Sequence, residues 1–169
     1  MAWPVFQLAY VTAELERAMV EFSTVLGIGR FQVNRDVSIE TGAGAAYCHF
    51  ALAFLGEQQI ELIEPVGGMD GVYRDVLAPG RTVVLHHLGF LLPTETAWRA
   101  ALRGIEASGH PMPVRGIFGD LMHYAYVDRR DLFAHYLEYM YATPAGATLF
   151  DNVPRFPAAA APSDRSISA

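Results

Sequence analysis

The chain has 169 residues, of which 52% are hydrophobic and 18% charged, and it carries a formal charge of −6. That length predicts one globular unit with a core of its own, and the acidic balance excludes a surface built to neutralise nucleic-acid phosphates. All 12 basic residues are Arg; without Lys, Schiff-base chemistry, a pyridoxal phosphate anchor and a P-loop are excluded.

No apolar run is long enough to span a bilayer, and Trp3-Pro4 follows the start with no basic leader, so a soluble cytoplasmic protein is expected. The lone Cys48 allows neither an internal disulfide nor a CxxC pair, and its alternating apolar surroundings predict a buried structural thiol.

Along the chain, period-2 alternation predicts a strand over Val5–Val11. A helix from about Glu14 to Leu26 follows, with Leu15, Ala18, Met19, Phe22, Val25 and Leu26 on one stripe. Thr12 is placed to cap it and Gly27 to end it. Strands are predicted over Phe31–Val37, Tyr47–Leu55 and Gln58–Ile63. The Gly-rich stretch 67–82 then links to a strand over Val83–Leu92. A second helix, Glu95 to Ser108, has Thr94 as its cap, Gly109 as its stop and Trp98, Ala101, Leu102 and Ile105 as its apolar stripe. Strands over Pro113–Phe118, Leu121–Val127 and Phe133–Tyr141 complete the pattern. The order β-α-β-β-β occurs twice. One domain over 1–157 is expected, with halves of roughly 1–66 and 83–142 and a disordered tail over 158–169.

The two halves match in their polar exceptions. Gln7 and His87 each stand seven positions before a helix start, at Glu14 and Thr94. Glu61 and Glu138 occupy matching contexts in the closing strands, Ile60-Glu61-Leu62 and Leu137-Glu138-Tyr139. A carboxylate among apolar strand residues must be solvated, paired or bound to a cation, because burying it alone is very unfavourable. Four such groups at symmetric places could converge on one axis. Two carboxylates, one amide oxygen and one imidazole suit a divalent ion in roughly octahedral geometry, with Zn, Ni, Co, Mn, Mg and Fe undistinguished. Adjacent strand residues point to opposite faces, so only one of His86 and His87 is expected to face such a site, and His86 falls to core or surface.

The runs Gln7-Leu-Ala-Tyr-Val-Thr-Ala-Glu-Leu15 and Gln59-Ile-Glu-Leu-Ile-Glu-Pro65 resemble the first half of glyoxalase-like proteins of the vicinal-oxygen-chelate superfamily. Tyr73-Arg-Asp-Val-Leu77, His86-His-Leu-Gly-Phe90 and Tyr136-Leu-Glu-Tyr139 are similar to the second half of methylmalonyl-CoA epimerase and its relatives. The resemblance implies an α+β fold of two βαβββ modules in tandem, forming a curved mixed sheet with a metal-binding cup. It places the ligands on Gln7, Glu61, His87 and Glu138. At the positions where glyoxalase I holds glutathione, this chain has Val11 and Pro65, so typical lactoylglutathione lyase activity is not expected.

What the resemblance implies for function is a metal-dependent isomerase, epimerase or lyase. Such an enzyme stabilises the enolate or enediolate of a fairly hydrophobic carbonyl substrate, with Glu138 as proton-transfer base and Glu61 second. One alternative is a metal-free protein of the same fold that sequesters a small molecule. Another is an Fe(II) extradiol-type dioxygenase, which Gln7 disfavours by removing one of two expected His ligands. Tyr47, the Ala53-Phe54 pair, Tyr73, Met122, Tyr124 and Met140 are expected to line the substrate pocket, and His123 to support the ligands from behind. Partners are expected to be a small-molecule substrate and a second copy of the chain in a homodimer, with no nucleic acid and no membrane.

Overall fold

The computed structural model describes residues 3–77 and 79–158. In chain order the elements are β1 (Gln7–Thr12), α1 (Leu15–Leu26), β2 (Gln32–Thr41), β3 (Gly44–Leu55), β4 (Gln58–Gly68), α2 (Gly71–Arg74) and β5 (Val83–Leu91). There follow α3 (Glu95–Ser108), β6 (Val114–Phe118), β7 (Met122–Asp128), α4 (Arg130–Phe133), β8 (Tyr136–Ala142) and β9 (Arg155–Phe156). The fold is α+β, with two βαβββ halves sharing one curved mixed sheet in the order β2-β3-β4-β1-β5-β8-β7-β6. Each half contains one parallel pair, β1 with β4 and β5 with β8, and the halves join through the antiparallel pair β1–β5. The four central strands are therefore those that carry Gln7, Glu61, His87 and Glu138. The expected tail falls largely on residues 159–169, which lie outside the described residues.

Strand alternation sorts the side chains into layers. Leu8, Tyr10, Ile60 and Leu62 face outward and pack under α1, which contributes Leu15, Ala18, Met19 and Phe22. On the other half α3 presents Trp98 and Leu102 to Leu92 and Ala125. The concave face gathers Ala9, Val11, Phe50, Ile63, Tyr124, Tyr126 and Met140 in a third cluster. Each large apolar side chain so buried contributes roughly 1.5–3 kcal/mol. Both long helices end on a glycine in the left-handed region, Gly27 at φ 72° and Gly109 at φ 72°. Thr94 caps α3 by accepting from the Ala97 N–H, as its sequence position predicts. Thr12 does not cap α1. Its hydroxyl donates to the Thr82 carbonyl at 2.8 Å, and the free N–H of Leu15 instead donates to Glu64 Oε2 at 3.3 Å.

The ends of the curved sheet meet in the same chain. The Gly42 N–H donates to the Pro113 carbonyl at 2.8 Å, and the Glu40 N–H donates to the Tyr124 hydroxyl at 3.3 Å, bringing β2 against β6. Beyond β8 the chain returns across the first half as a strap. Phe150 packs on Phe6 with ring centroids 5.4 Å apart, Val153 is buried, and β9 pairs in parallel with β3. Among the described residues no helix is long and apolar enough to cross a membrane.

A candidate metal centre in the cup

Register explains how four distant residues meet. Ala9 lies opposite Glu61 on one side and His87 on the other, while Gly89 lies between Gln7 and Glu138. Small residues on the central strands thus leave room for the larger polar side chains beside them. At Gly89 a Cβ would stand 2.9 Å from both Cβ and Oε1 of Gln7 and 2.8 Å from the Met140 methyl, so this position must lack one. His87 Nε2 lies 3.1 Å from Gln7 Oε1, 3.1 Å from Glu138 Oε2 and 3.6 Å from Glu61 Oε2. Gln7, His87 and Glu138 are buried and the Glu61 side chain nearly so.

The two histidine rings stay in contact instead of parting to opposite faces, with His86 in the core behind His87. The β1–β5 register shifts between Ala9 and Tyr10, which pair with His87 and Leu85, leaving His86 as the extra residue of a β-bulge. The alternation that separates neighbouring side chains fails at this point. His86 Nδ1 sits 2.8 Å from His87 Nδ1, and His86 Nε2 sits 2.9 Å from the Val72 carbonyl. A carbonyl can only accept, so neutral His86 carries its proton on Nε2 and its Nδ1 is an acceptor. His87 must then donate from Nδ1, and its Nε2 is left as a bare lone pair directed at the three oxygens.

Electrostatics agree with that tautomer. Burial holds His86 well below its ordinary value, with His87 adding to the effect, and burial pushes His87 down to about 3. Burial pushes Glu138 up to about 8. Burial and then the Glu138 charge raise Glu61 well above the usual carboxylate range, with the Gln7 amide acting the other way. A lone pair and several oxygens packed at 3.1–3.6 Å need a shared proton or a shared cation. Spacings near 3 Å also match the edges of a coordination shell with bonds of about 2.1 Å. Among the described residues no three His, Cys, Asp or Glu side chains are already disposed around a single ion position. The donor set and its spacing from His87 fit a divalent ion, and binding would require the carboxyls to lose their protons.

The centre forms the floor of a cavity of about 170 Å³. Gln7, Glu61 and Glu138 line its base. Val37, Ile39, Phe50, Leu52, Tyr124, Tyr126 and Met140 form apolar walls, and Leu149 and Phe150 of the C-terminal strap close one side. None of the lining residues is Arg.

The pattern of the Glyoxalase/Bleomycin resistance protein/Dioxygenase superfamily matches residues 6–126. The chain belongs to that superfamily. The matched span includes Gln7, Glu61 and His87 and stops before Glu138. Among solved structures, a Streptomyces coelicolor methylmalonyl-CoA epimerase in complex with 2-nitronate-propionyl-CoA is similar with a TM-score of 0.55 at 15% identity, covering 85% of this chain and 97% of that one. The Mycobacterium tuberculosis methylmalonyl-CoA epimerase gives a TM-score of 0.54 at 13% identity, covering 83% and 88%. A hypothetical protein from Bacillus halodurans gives a TM-score of 0.57 at 12% identity, covering 85% and 96%. At these identities the likeness is one of fold. No curated protein sequence matches the chain.

Within this superfamily fold, several expected pocket residues fall elsewhere. Met122, Tyr124 and Met140 line the cavity. Tyr47 does not: it is 46% exposed and lies off the cavity wall. Ala53 points toward α1, and Phe54 is buried at the far end of its strand against Phe6 and Arg155. Tyr73 is fully buried beneath the cup, stacked on His86 with its hydroxyl 3.3 Å from that of Tyr126. His123 does not support the ligands from behind; strand parity turns it to the α3 side, where it stacks on Tyr141 and lies over Trp98. The residue in contact with His87 from behind is His86. Cys48 is buried with its thiol pushed up to about 12, mainly by burial, which leaves it unreactive at neutral pH.

Proposed function

We propose that the protein is a metal-dependent isomerase, epimerase or lyase acting on a small, fairly hydrophobic carbonyl compound, with Gln7, Glu61, His87 and Glu138 as ligands. The observation that carries this reading is the convergence of three side-chain oxygens on the bare Nε2 of His87, on the floor of an apolar cavity. Superfamily membership and the epimerase neighbours support an epimerase- or isomerase-type activity in general. A bound divalent ion supplies Lewis acidity that polarises a substrate carbonyl and acidifies the adjacent C–H.

The remaining chemistry belongs to the chain. His86 and the Val72 carbonyl hold His87 in the ligating tautomer. Gln59 accepts from Gln7 Nε2 at 2.8 Å and so aims Gln7 Oε1 at the centre. Glu138, a carboxylate at the centre that could loosen from the ion, would take a proton from a substrate carbon, and Glu61 would return one in an epimerisation. The apolar walls exclude water and strengthen each of these interactions. Glutathione is a poor fit, because Val11 and Pro65 are buried in the fold and no Arg lines the cavity to meet its carboxylates.

A second reading is a metal-free binding protein, favoured by the ease with which a protonated Glu138 satisfies His87 Nε2. An Fe(II) dioxygenase is disfavoured by geometry, since both ring nitrogens of His86 are engaged and only His87 offers an imidazole. Solvent exchange in D₂O separates the readings. With Mn²⁺ or Co²⁺ added, an uncharged α-substituted ketone should lose its α-proton to solvent. A chelator or Glu138→Gln should stop the exchange. Saturable binding of such compounds without any exchange would favour the binding protein.

A further inference from the structure

Among the described residues only three buried side-chain polar atoms lack a hydrogen-bond partner: Gln59 Nε2, Gln32 Oε1 and Arg129 Nε. Two of the three belong to residues on the wall of the one cavity that holds the candidate centre. An unmet buried donor or acceptor costs about 1–3 kcal/mol, so two beside one cavity mark a place where a ligand completes the pairing.

Gln59 is fully buried, pairs in register with Gln7 and stands two residues before Glu61 on the same face of β4. Its orientation is set from the centre outward. A cation at the centre holds Gln7 Oε1 toward the lone pair of His87, so Gln7 Nε2 donates to Gln59 Oε1 at 2.8 Å, and Gln59 Nε2 is left without a partner. Gln32 lies in the same cross-strand row as Glu61: Gln32 pairs with Leu52, and Leu52 pairs with Glu61. Two strand spacings of about 4.8 Å separate its backbone from that of Glu61.

We infer that Gln59 donates a hydrogen bond to the substrate oxygen beside the centre while Gln32 accepts one from the substrate's distal side. The substrate class is then an uncharged carbonyl compound that also bears a hydroxyl or N–H group. This inference rests on the metal-site reading above and adds the polarity of the substrate to it. Gln59 strengthens as a donor when charge develops on the carbonyl oxygen, and it needs no reorganisation to do so. The absence of Arg from the wall excludes a compensated carboxylate at the distal end.

Benzohydroxamic acid, a small chelating carbonyl compound, is a suitable probe, and its 4-hydroxy derivative adds a donor at the end away from the chelating group. The chain is titrated first with Mn²⁺ and then with each probe. Gln59→Met also frees the Gln7 amide, so it is compared at Mn²⁺ concentrations that saturate it, where benzohydroxamate should bind about tenfold more weakly than to the equally saturated unsubstituted chain. Gln32→Met should erase the preference for the 4-hydroxy derivative over benzohydroxamic acid itself. In the unsubstituted Zn²⁺-loaded chain, the Gln59 side-chain amide resonances should shift on adding the probe, which tests the contact should Gln59→Met fail to fold. Unchanged probe affinity in Gln59→Met, or unshifted Gln59 resonances, would overturn this inference while leaving the metal centre standing. Failure of the unsubstituted chain to bind Mn²⁺ would remove both.

Discussion

Burial raises two carboxyls and lowers two imidazoles within the same few ångströms, and the shifts oppose each other in the pH dependence of the metal-free chain. Glu138 moves from 4.5 to about 8, so the folded state holds a proton that the unfolded state has released. Stability from this source is present below about 4.5 and is lost as pH rises through about 8. His87 moves from 6.5 to about 3, so its contribution is gained as pH rises through that window and is complete above 6.5. Between 6.5 and 8 only the carboxyls still titrate. The thermal midpoint of chelator-treated protein should therefore fall over that range, and Glu138→Gln should flatten the fall. A midpoint that stays level or rises from pH 6.5 to 8 would show that Glu138 is ionised in the folded chain. Gly89 offers a second residue-scale test. Gly89→Ala would force a methyl against Gln7 and Met140, an overpacking of about 1–3 kcal/mol. It should also displace Gln7 Oε1, so both the midpoint and the metal affinity should drop.

At the scale of elements, the helices and most strands were legible because each buries one face. Leu8 and Tyr10 alternate with Gln7, Ala9 and Val11, and the stripe of α3 ends at Gly109 as its sequence suggests. The four candidate ligands were legible for a related reason, since polar groups interrupt apolar alternation at matching places. The bulge at His86 was not, because one extra residue in a strand leaves no mark on composition. That single shift brings the two rings together, with His86 in the core as expected and its Nδ1 against His87 Nδ1. Parity also explains the errors at Ala53 and His123, whose strands were known but whose register was not. Tyr73 misled for another reason: a large ring with a polar tip suits a pocket, yet its hydroxyl finds Tyr126 inside the core. The strap packs through Phe150 and Phe156 over the first half of its own chain, and Leu149 joins Phe150 on the cavity wall. Truncation after Ala142 would expose Phe6 and Phe54 and remove the Phe54 N–H to Pro154 carbonyl bond. A loss of about 2–5 kcal/mol in denaturant melts is expected, together with a more open cavity. Unchanged melts would remove the strap from the structural account.

For the whole molecule, the sheet's two ends close on each other within one chain, which leaves the outer faces of the helices as surfaces for a second copy. Val20 and Val25 on α1 are 66% and 78% exposed, so Val25 does not join the buried stripe expected for it, and the two stand on different sides of the helix. A two-fold pairing through α1 predicts twice the 18.6 kDa chain mass in light scattering at micromolar concentration. Val20→Glu with Val25→Glu should return the chain mass without disturbing the cup.

The account as a whole stands on one claim, that the pseudo-symmetric halves each lend two ligands to a single ion. Calorimetric titration of the chelator-treated protein with Mn²⁺, at pH 7 in buffers of different ionisation enthalpy, tests it most directly. The account predicts one ion per chain with proton release on binding, because Glu61 and Glu138 must ionise to coordinate. It also predicts loss of most of that binding in His87→Ala. Absence of binding, or binding that releases no protons and survives His87→Ala, would contradict it.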